Sequence, residues 1–355
     1  MLTLHKTADA VPLVNMHEIA YHGKGKLADK SGQRAKRQVG TVYFTHEDDE
    51  GIQNVGKASG VLHLHQADLQ KRLHISKGDF EIIYRMLDDD AEPDLHHELR
   101  HQYWAVKHEY DRFLRREMFL GDEADLEFEL NLPRKKDDWP GTMTLIGNSG
   151  AGKTRFLTDM LLRHLKGTPA YATRTIIWLS PELEIDKTLE AIKSERFNMF
   201  FHGIDISEKA LRESKLDAGS YFKTKIQDVI ETRGENALVC YDDFPDGARS
   251  LYPYLLNHYL NLLRVARHKN MGIYSLQHTY AGGKNTSQAL QSNKYIVFFP
   301  RSQHNRCITF MRDHLMMQTT EAKDIVVRFA RLGRYMVIQM HSPVCIFNNK
   351  YLILL

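Results

Sequence analysis

The run Gly147-Asn148-Ser149-Gly150-Ala151-Gly152-Lys153-Thr154 has the spacing G-x-x-x-x-G-K-[ST], and each position has a chemical reason. Glycines let successive backbone N–H groups turn inward around phosphate oxygens. The lysine places a cation on the β/γ oxygens, and the hydroxyl after it reaches a magnesium ion. Gly147, Asn148, Ser149, Gly150, Ala151, Gly152, Lys153, Thr154 and the following Arg155 are therefore the expected contacts of a nucleoside triphosphate. ATP and Mg2+ are the expected cofactors, with Lys153 as the catalytic cation and Thr154 as a metal ligand. The flanks suit the motif: an apolar run, Met143 to Ile146, precedes it and the helical stretch FLTDMLLRHL follows.

A second group of residues could complete the chemistry. Leu238-Val239-Cys240-Tyr241-Asp242-Asp243 is a short apolar run that ends in two carboxylates. Asp242 is expected to hold the metal and Asp243 to polarise the attacking water, at a position where many such ATPases use glutamate. A strand that simply ends in a solvated acidic turn is the alternative. Between Ser250 and Asn270, Leu255, Leu256, Tyr259, Leu262 and Leu263 share one helical side, with Arg264 and Arg267 near the end. Both cations match the helix dipole. Arg267 is the candidate that reaches a neighbouring subunit's γ-phosphate, with Arg264, Arg301 and Arg306 as further candidates. The next strand, Gly272 to Leu276, ends at Gln277, a candidate γ-phosphate sensor. Beyond it, Tyr280 to Ser287 with Lys284 reads as a Gly-rich loop, either a DNA contact or a plain surface loop.

The blocks GNSGAGKT, LVCYDDFPD, ARHKNMGIYSLQ and YIVFFPR resemble the FtsK/HerA superfamily of P-loop ATPases. They are most similar to the genome-packaging ATPases of large and medium-sized double-stranded DNA viruses. The resemblance spans roughly residues 141 to 301 and implies a RecA-type core. It also implies a homo-oligomeric ring, pentamer or hexamer, around double-stranded DNA, and ATP-driven threading of a genome into a preformed capsid. Lys153 and Thr154 match the P-loop pair, Asp242 and Asp243 the acidic pair, Gln277 the sensor, and Arg267 a basic helix end. A capsid-vertex or virion membrane protein is left open as a further partner, and virion association is left open beside the host cytoplasm or a viral factory. Three rivals stand: a helicase or conjugation-type DNA pump of the same superfamily, a small-molecule kinase, and a structural virion protein that keeps a nucleotide.

The elements that must position these residues follow an α/β pattern. Apolar runs at Met143 to Ile146, Thr175 to Leu179, Asn198 to Phe201, Leu238 to Tyr241, Gly272 to Leu276 and Tyr295 to Phe299 read as strands of a mostly parallel sheet with helices on both faces. The expected architecture is a RecA-like P-loop NTPase core over residues 141–355. Ahead of it, residues 1–140 are expected to form a smaller mixed α+β domain. That domain carries a basic flexible arm at 22–38, strands near Val42 to Thr45, at Val61 to Leu64 and at Leu126 to Leu130, a short helix capped by Asp79, and a long helix at 94–119.

Bulk properties narrow the function classes. The 355 residues carry a formal net charge of +3, but its distribution is uneven. Residues 1–140 hold 20 Lys+Arg against 26 Asp+Glu, residues 141–355 hold 28 against 19, and from Arg249 onward 14 face 3. A last third with an excess of 11 positive charges suits a polyanion, because its summed field attracts a phosphate backbone. The three cysteines, Cys240, Cys307 and Cys345, are odd in number and far apart, which excludes a disulfide framework and a thiolate zinc site. His63 with His65, and His96 with His97 and His101, lack the carboxylates or thiolates of a metal site. No apolar run is long enough to span a bilayer, and the start MLTLHKTADAVPLVNMHE lacks a secretory pattern, so the chain is expected to stay inside the cell.

Overall fold

In the computed structural model the described residues are 2–3, 6, 10–19, 36–44, 70–71, 73–88, 91, 93–94, 96–114, 117–120, 126–131, 139–167, 174–183, 186–193, 200–278, 290, 292–341 and 343–355. They form two compact units, Met1–Asn131 with Ser342–Leu355, and Leu132–His341. The chain thus divides near residue 131 and returns to its first unit at the end, unlike the 1–140 and 141–355 expected from sequence.

In the first unit, β1 (Leu2–Thr3), β2 (Val11–Ile19) and β3 (Lys36–Phe44) form an antiparallel sheet with a later strand. The basic arm expected at 22–38 lies outside the described residues except for 36–38, which begin β3. Val61 to Leu64 lies outside them as well. Helix α1 (Lys77–Asp88) is capped by Ser76, whose hydroxyl accepts the Asp79 N–H at 3.1 Å and donates to the Asp79 carboxylate at 2.6 Å. Ser76 rather than Asp79 therefore occupies the cap, with Asp79 closing the reciprocal bond. Helix α2 covers Arg100–Leu114, shorter than the expected 94–119. Residues 96, 98 and 99 are turns, and β4 (Glu117–Phe119) is extended. Next comes β5 (Leu126–Leu130), which pairs with β2.

The second unit carries the site. Its elements run β6 (Thr142–Ile146), α3 (Lys153–Gly167), β7 (Ile176–Ser180), a 3-10 turn (Lys187–Ala191), β8 (Phe201–Asp205) and α4 (Glu208–Ser214). After these come α5 (Ala218–Tyr221), a π-helical segment (Phe222–Gln227), α6 (Asp228–Arg233), β9 (Leu238–Asp242) and α7 (Tyr252–Val265). The unit closes with β10 (Gly272–Gln277), β11 (Tyr295–Phe298), α8 (Pro300–Leu315), α9 (Thr319–Leu332) and β12 (Met336–Gln339). Its strands lie in the order β12-β11-β6-β10-β9-β7-β8. From β11 to β7 the described neighbours pair in parallel, as do β7 and β8, while β12 runs antiparallel to β11.

The sequence explains this architecture. Every residue of β6, β7 and β9 is buried, as expected of parallel strands covered on both faces, which read as continuous apolar runs. One face packs Ile177, Leu179, Val239, Tyr241 and Ile273 against Leu255, Tyr259, Leu262 and Leu263 of α7. The sequence places those four on one helical side, so the 3.6-residue period becomes the packing face.

The chain ends with β13 (Cys345–Phe347) and β14 (Tyr351–Leu354) in the first unit. These strands pair antiparallel, and β14 pairs on with β4. The Leu120 and Phe128 N–H groups donate to Lys350 O and Asn349 O, each at 2.8 Å. These contacts group the last strands with the first unit, unlike the 141–355 core expected from sequence. All three cysteines are free and buried, and no described helix is long and apolar enough to cross a membrane.

Candidate functional site

Parallel strands align their carboxyl ends, and β10 lies between β6 and β9 with Gln277 opposite Ile146 and Leu276 opposite Asp242. The segments that leave β6, β7, β9 and β10 surround a cavity of about 480 Å3, within the roughly 300–1,000 Å3 of small-molecule sites. Crevices at strand carboxyl ends are where open α/β sheets bind ligands.

The P-loop rims one side of this cavity. Gly150 and Gly152 adopt φ values of 74° and 104°, which a side chain would strain. A Cβ at Gly147 would approach Phe299 to 2.9 Å, so the loop rests directly on that buried ring. Helix α3 begins at Lys153 and brings unpaired N–H groups to its start. Lys153 is 5% exposed, and its ammonium donates to Gly147 O at 3.0 Å. Ser149, Gly150, Gly152, Lys153, Thr154 and Arg155 line the cavity. Gly147, Asn148 and Ala151 are not among the lining residues, and the Asn148 amide donates instead to Ser302 O at the start of α8.

The acidic pair faces the P-loop. Asp242 is 5% exposed, and its Oδ2 accepts the Trp178 indole N–H at 3.2 Å. Burial, reinforced by the Asp243 charge, pushes Asp242 up to about 7, against the opposing pull of Trp178 and Lys153. Asp243 turns out of the strand through a left-handed conformation, φ 42° and ψ 39°. Its N–H donates to Leu276 O at 3.1 Å. Burial raises its proton affinity, and Lys153 and His278 oppose that rise. Its Oδ1 is buried and makes no hydrogen bond, with the Lys153 ammonium 3.9 Å away.

These residues fit a hard divalent cation. Thr154 and Asp242 offer oxygen donors of the kind magnesium takes. Burial drives Asp242 toward its neutral form, and a cation beside it would reverse that drive.

The residue that reaches the cavity from the end of β10 is not Gln277 but the next one. Gln277 donates its amide back to Ser275 Oγ at 3.0 Å and does not line the cavity, whereas His278 does. Alternation along a strand puts Gln277 on the side of Ser275. His278 sets Nε2 2.9 Å from Asp243 Oδ2 and 3.5 Å from Asp246 Oδ2. Its Nδ1 lies 3.3 Å from the Lys153 ammonium. Asp243, Asp246 and His278 bring one ligand atom each within 4.8 Å of one another.

Arg267 is not brought to this chain's cavity. It is exposed in the turn between α7 and β10, where its carbonyl accepts the Asn270 N–H. That turn leads into the amino end of β10, and a six-residue strand separates it from the site by about 20 Å. Arg264 is exposed in the last turn of α7. Arg301 donates to Ala330 O at 2.8 Å and Arg306 to Gln303 Oε1 at 3.2 Å. Tyr280 to Ser287 lies outside the described residues.

Sequence reasoning missed three further acids. Glu182 and Asp186, after β7, line the cavity, and their charges raise the proton affinity of Asp243 and Asp242 respectively. Asp246 lines it too. The signal for Glu182 was present, since Ile-Ile-Trp-Leu-Ser-Pro-Glu is also an apolar run with an acid at its end.

None of the curated proteins matches. B204, the DNA-packaging ATPase from Sulfolobus Turreted Icosahedral Virus, aligns at TM-score 0.38 and 14% identity, over 61% of this chain and 98% of its own. The cytoplasmic domain of the Thermomonospora curvata type VII secretion ATPase EccC aligns at 0.37 and 13%, over 67% and 29%. A KaiC-like protein of Pyrococcus horikoshii aligns at 0.30 and 15%, over 44% and 70%. Residues 132–326 match the family described as Poxvirus A32 protein, a stretch that contains the P-loop, the acidic pair and β10. That match takes in more than half of the 355 residues, and the chain belongs to the poxvirus A32 family.

Proposed function

We propose that this protein is an ATPase that drives double-stranded viral DNA into a preformed capsid. One observation carries the reading: the P-loop lysine and the paired aspartates, 89 positions apart in sequence (242 − 153), face each other across a single cavity. The P-loop N–H groups and Lys153 bind the β/γ phosphates. Thr154 and Asp242 would hold Mg2+, which when bound neutralises phosphate charge. Asp243 accepts a proton from water as the water oxygen bonds to the γ-phosphorus. The bond from that phosphorus to the β–γ bridging oxygen breaks, leaving ADP and inorganic phosphate.

The basic excess after Arg249 supplies a DNA-facing surface, and poxvirus A32 family membership favours packaging over the helicase and conjugation-type pump readings. A ring of subunits would let Arg267, remote from its own chain's cavity, approach a neighbour's γ-phosphate. The test is ATP turnover with and without double-stranded DNA. Wild type should hydrolyse ATP faster on DNA, and Lys153→Ala should lose at least about 100-fold in turnover. DNA binding should weaken steeply with salt, because phosphate contacts release counterions. Phosphate transfer to a small acceptor, unmoved by DNA, would establish a kinase instead.

A further inference from the structure

Gln303 stands in the first turn of α8 with 4% of its surface exposed, and it breaks the helical torsions there with φ −135° and ψ 32°. The distortion aims its amide nitrogen at two elements of the nucleotide site. One bond goes to the Asn148 side-chain oxygen of the P-loop and the other, at 2.7 Å, to the His278 backbone carbonyl. The amide oxygen accepts from Arg306, so both ends of this buried group are engaged. A buried amide with both ends engaged fixes its neighbours.

The residue it fixes is His278. With the imidazole proton on Nε2, the ring donates to Asp243 Oδ2 and accepts at Nδ1 from the Lys153 ammonium, and one tautomer satisfies both contacts. Asp243 is then held by one oxygen while Oδ1 makes no hydrogen bond. That is the arrangement of a base whose free lone pairs await a donor.

We propose that His278 is a positioning residue for hydrolysis, which orients Asp243 toward the attacking water, and that Gln303 locks His278 to the P-loop. The inference rests on the ATPase reading above. Residues that orient a reacting group through a hydrogen bond typically contribute 10- to 100-fold, and they move kcat rather than substrate affinity.

The experiment compares wild type, Lys153→Ala, His278→Ala, His278→Gln, Gln303→Leu and the double variant His278→Ala/Gln303→Leu. ATP affinity is read with a fluorescent ATP analogue, turnover by phosphate release, and folding by thermal melting. His278→Ala should lose about 10- to 100-fold in kcat with affinity held within about 2-fold. His278→Gln, whose amide N–H can replace Nε2–H, should recover part of that loss. Gln303→Leu should lower kcat in the same sense and add little to His278→Ala, since both act on one carboxylate. Full kcat in His278→Ala, or additive losses in the double variant, would overturn the proposal. If His278→Ala does not fold, His278→Phe, which keeps a ring but no donor, takes its place: wild-type affinity with lowered kcat supports the proposal, and unchanged kcat overturns it. Wild-type protein without ATP turnover would instead overturn the ATPase reading itself, whereas turnover lost in Lys153→Ala but kept in His278→Ala would sink only this inference.

Discussion

At the amino ends of the parallel strands Arg174 is 1% exposed, and its guanidinium donates to the carbonyls of Asn236 and Asn270 at 3.1 and 2.9 Å. The Asn270 amide closes onto Asn236, and the Trp139 indole donates to Met271 O at 2.8 Å. At the carboxyl ends of the same strands the pattern inverts. A buried Asp242 is driven toward neutrality, Asp243 takes a left-handed conformation, and a buried carboxylate oxygen finds no hydrogen bond. One sheet thus keeps a rim where a buried guanidinium ties two turns together and a rim where paired aspartates face a cavity. Such a division is the usual relation between scaffold and reactive site.

The largest effect should come from the closed rim. Arg174→Met leaves two enclosed carbonyls without this donor and should cost about 3 kcal/mol of stability in denaturant titration. ATP turnover per folded molecule, measured well below the melting temperature, should stay within about 2-fold. If stability holds and turnover falls, the division between the rims is broken.

Asp242→Asn tests the open rim through pH. The unfolded chain releases the Asp242 proton near 3.8, while the fold keeps it until about 7. The folded state binds the extra proton between those values, so stability without divalent cations falls as pH rises through that window. The asparagine variant lacks this slope. It should match wild type near pH 4 and exceed it at pH 8 by on the order of 2–4 kcal/mol, while losing magnesium-dependent turnover. Parallel melting curves from pH 4 to 8 would contradict the assignment.

Arg267→Ala should have the smallest effect on the fold. An exposed turn cation changes stability within about 0.5 kcal/mol. If it serves a neighbour, turnover should fall only at concentrations where subunits assemble on DNA. An equal loss at high dilution would place its action within one chain.

What could be read from the sequence was what is contiguous. The P-loop and Asp242-Asp243 are short runs whose chemistry depends on adjacent residues, and continuous apolar stretches mark β6, β7, β9 and β10. The roles of His278 and Gln303 come from three-dimensional juxtaposition: strand alternation turns Gln277 inward, and a kink at the start of α8 aims an amide that helix periodicity would send elsewhere. The same holds for β13 and β14, whose place in the first unit follows from pairing with a strand more than 200 positions earlier (Tyr351 with Phe119). The helix expected at 94–119 overran for a related reason. Its apolar three- and four-residue steps stop at Phe113, and past the end of α2 the chain turns extended as β4, which makes a ladder with β14.

The left-handed turn at position 243 also limits which amino acids that site can accept. Aspartate, asparagine and glycine enter this region readily, the first two because a short polar side chain can bond to the local backbone. Glutamate lacks that compensation, and such torsions cost on the order of 1 kcal/mol or more in residues that do not favour them. The backbone geometry at this strand end therefore favours the shorter acid, and lengthening it would strain the turn even as it extended the carboxylate's reach.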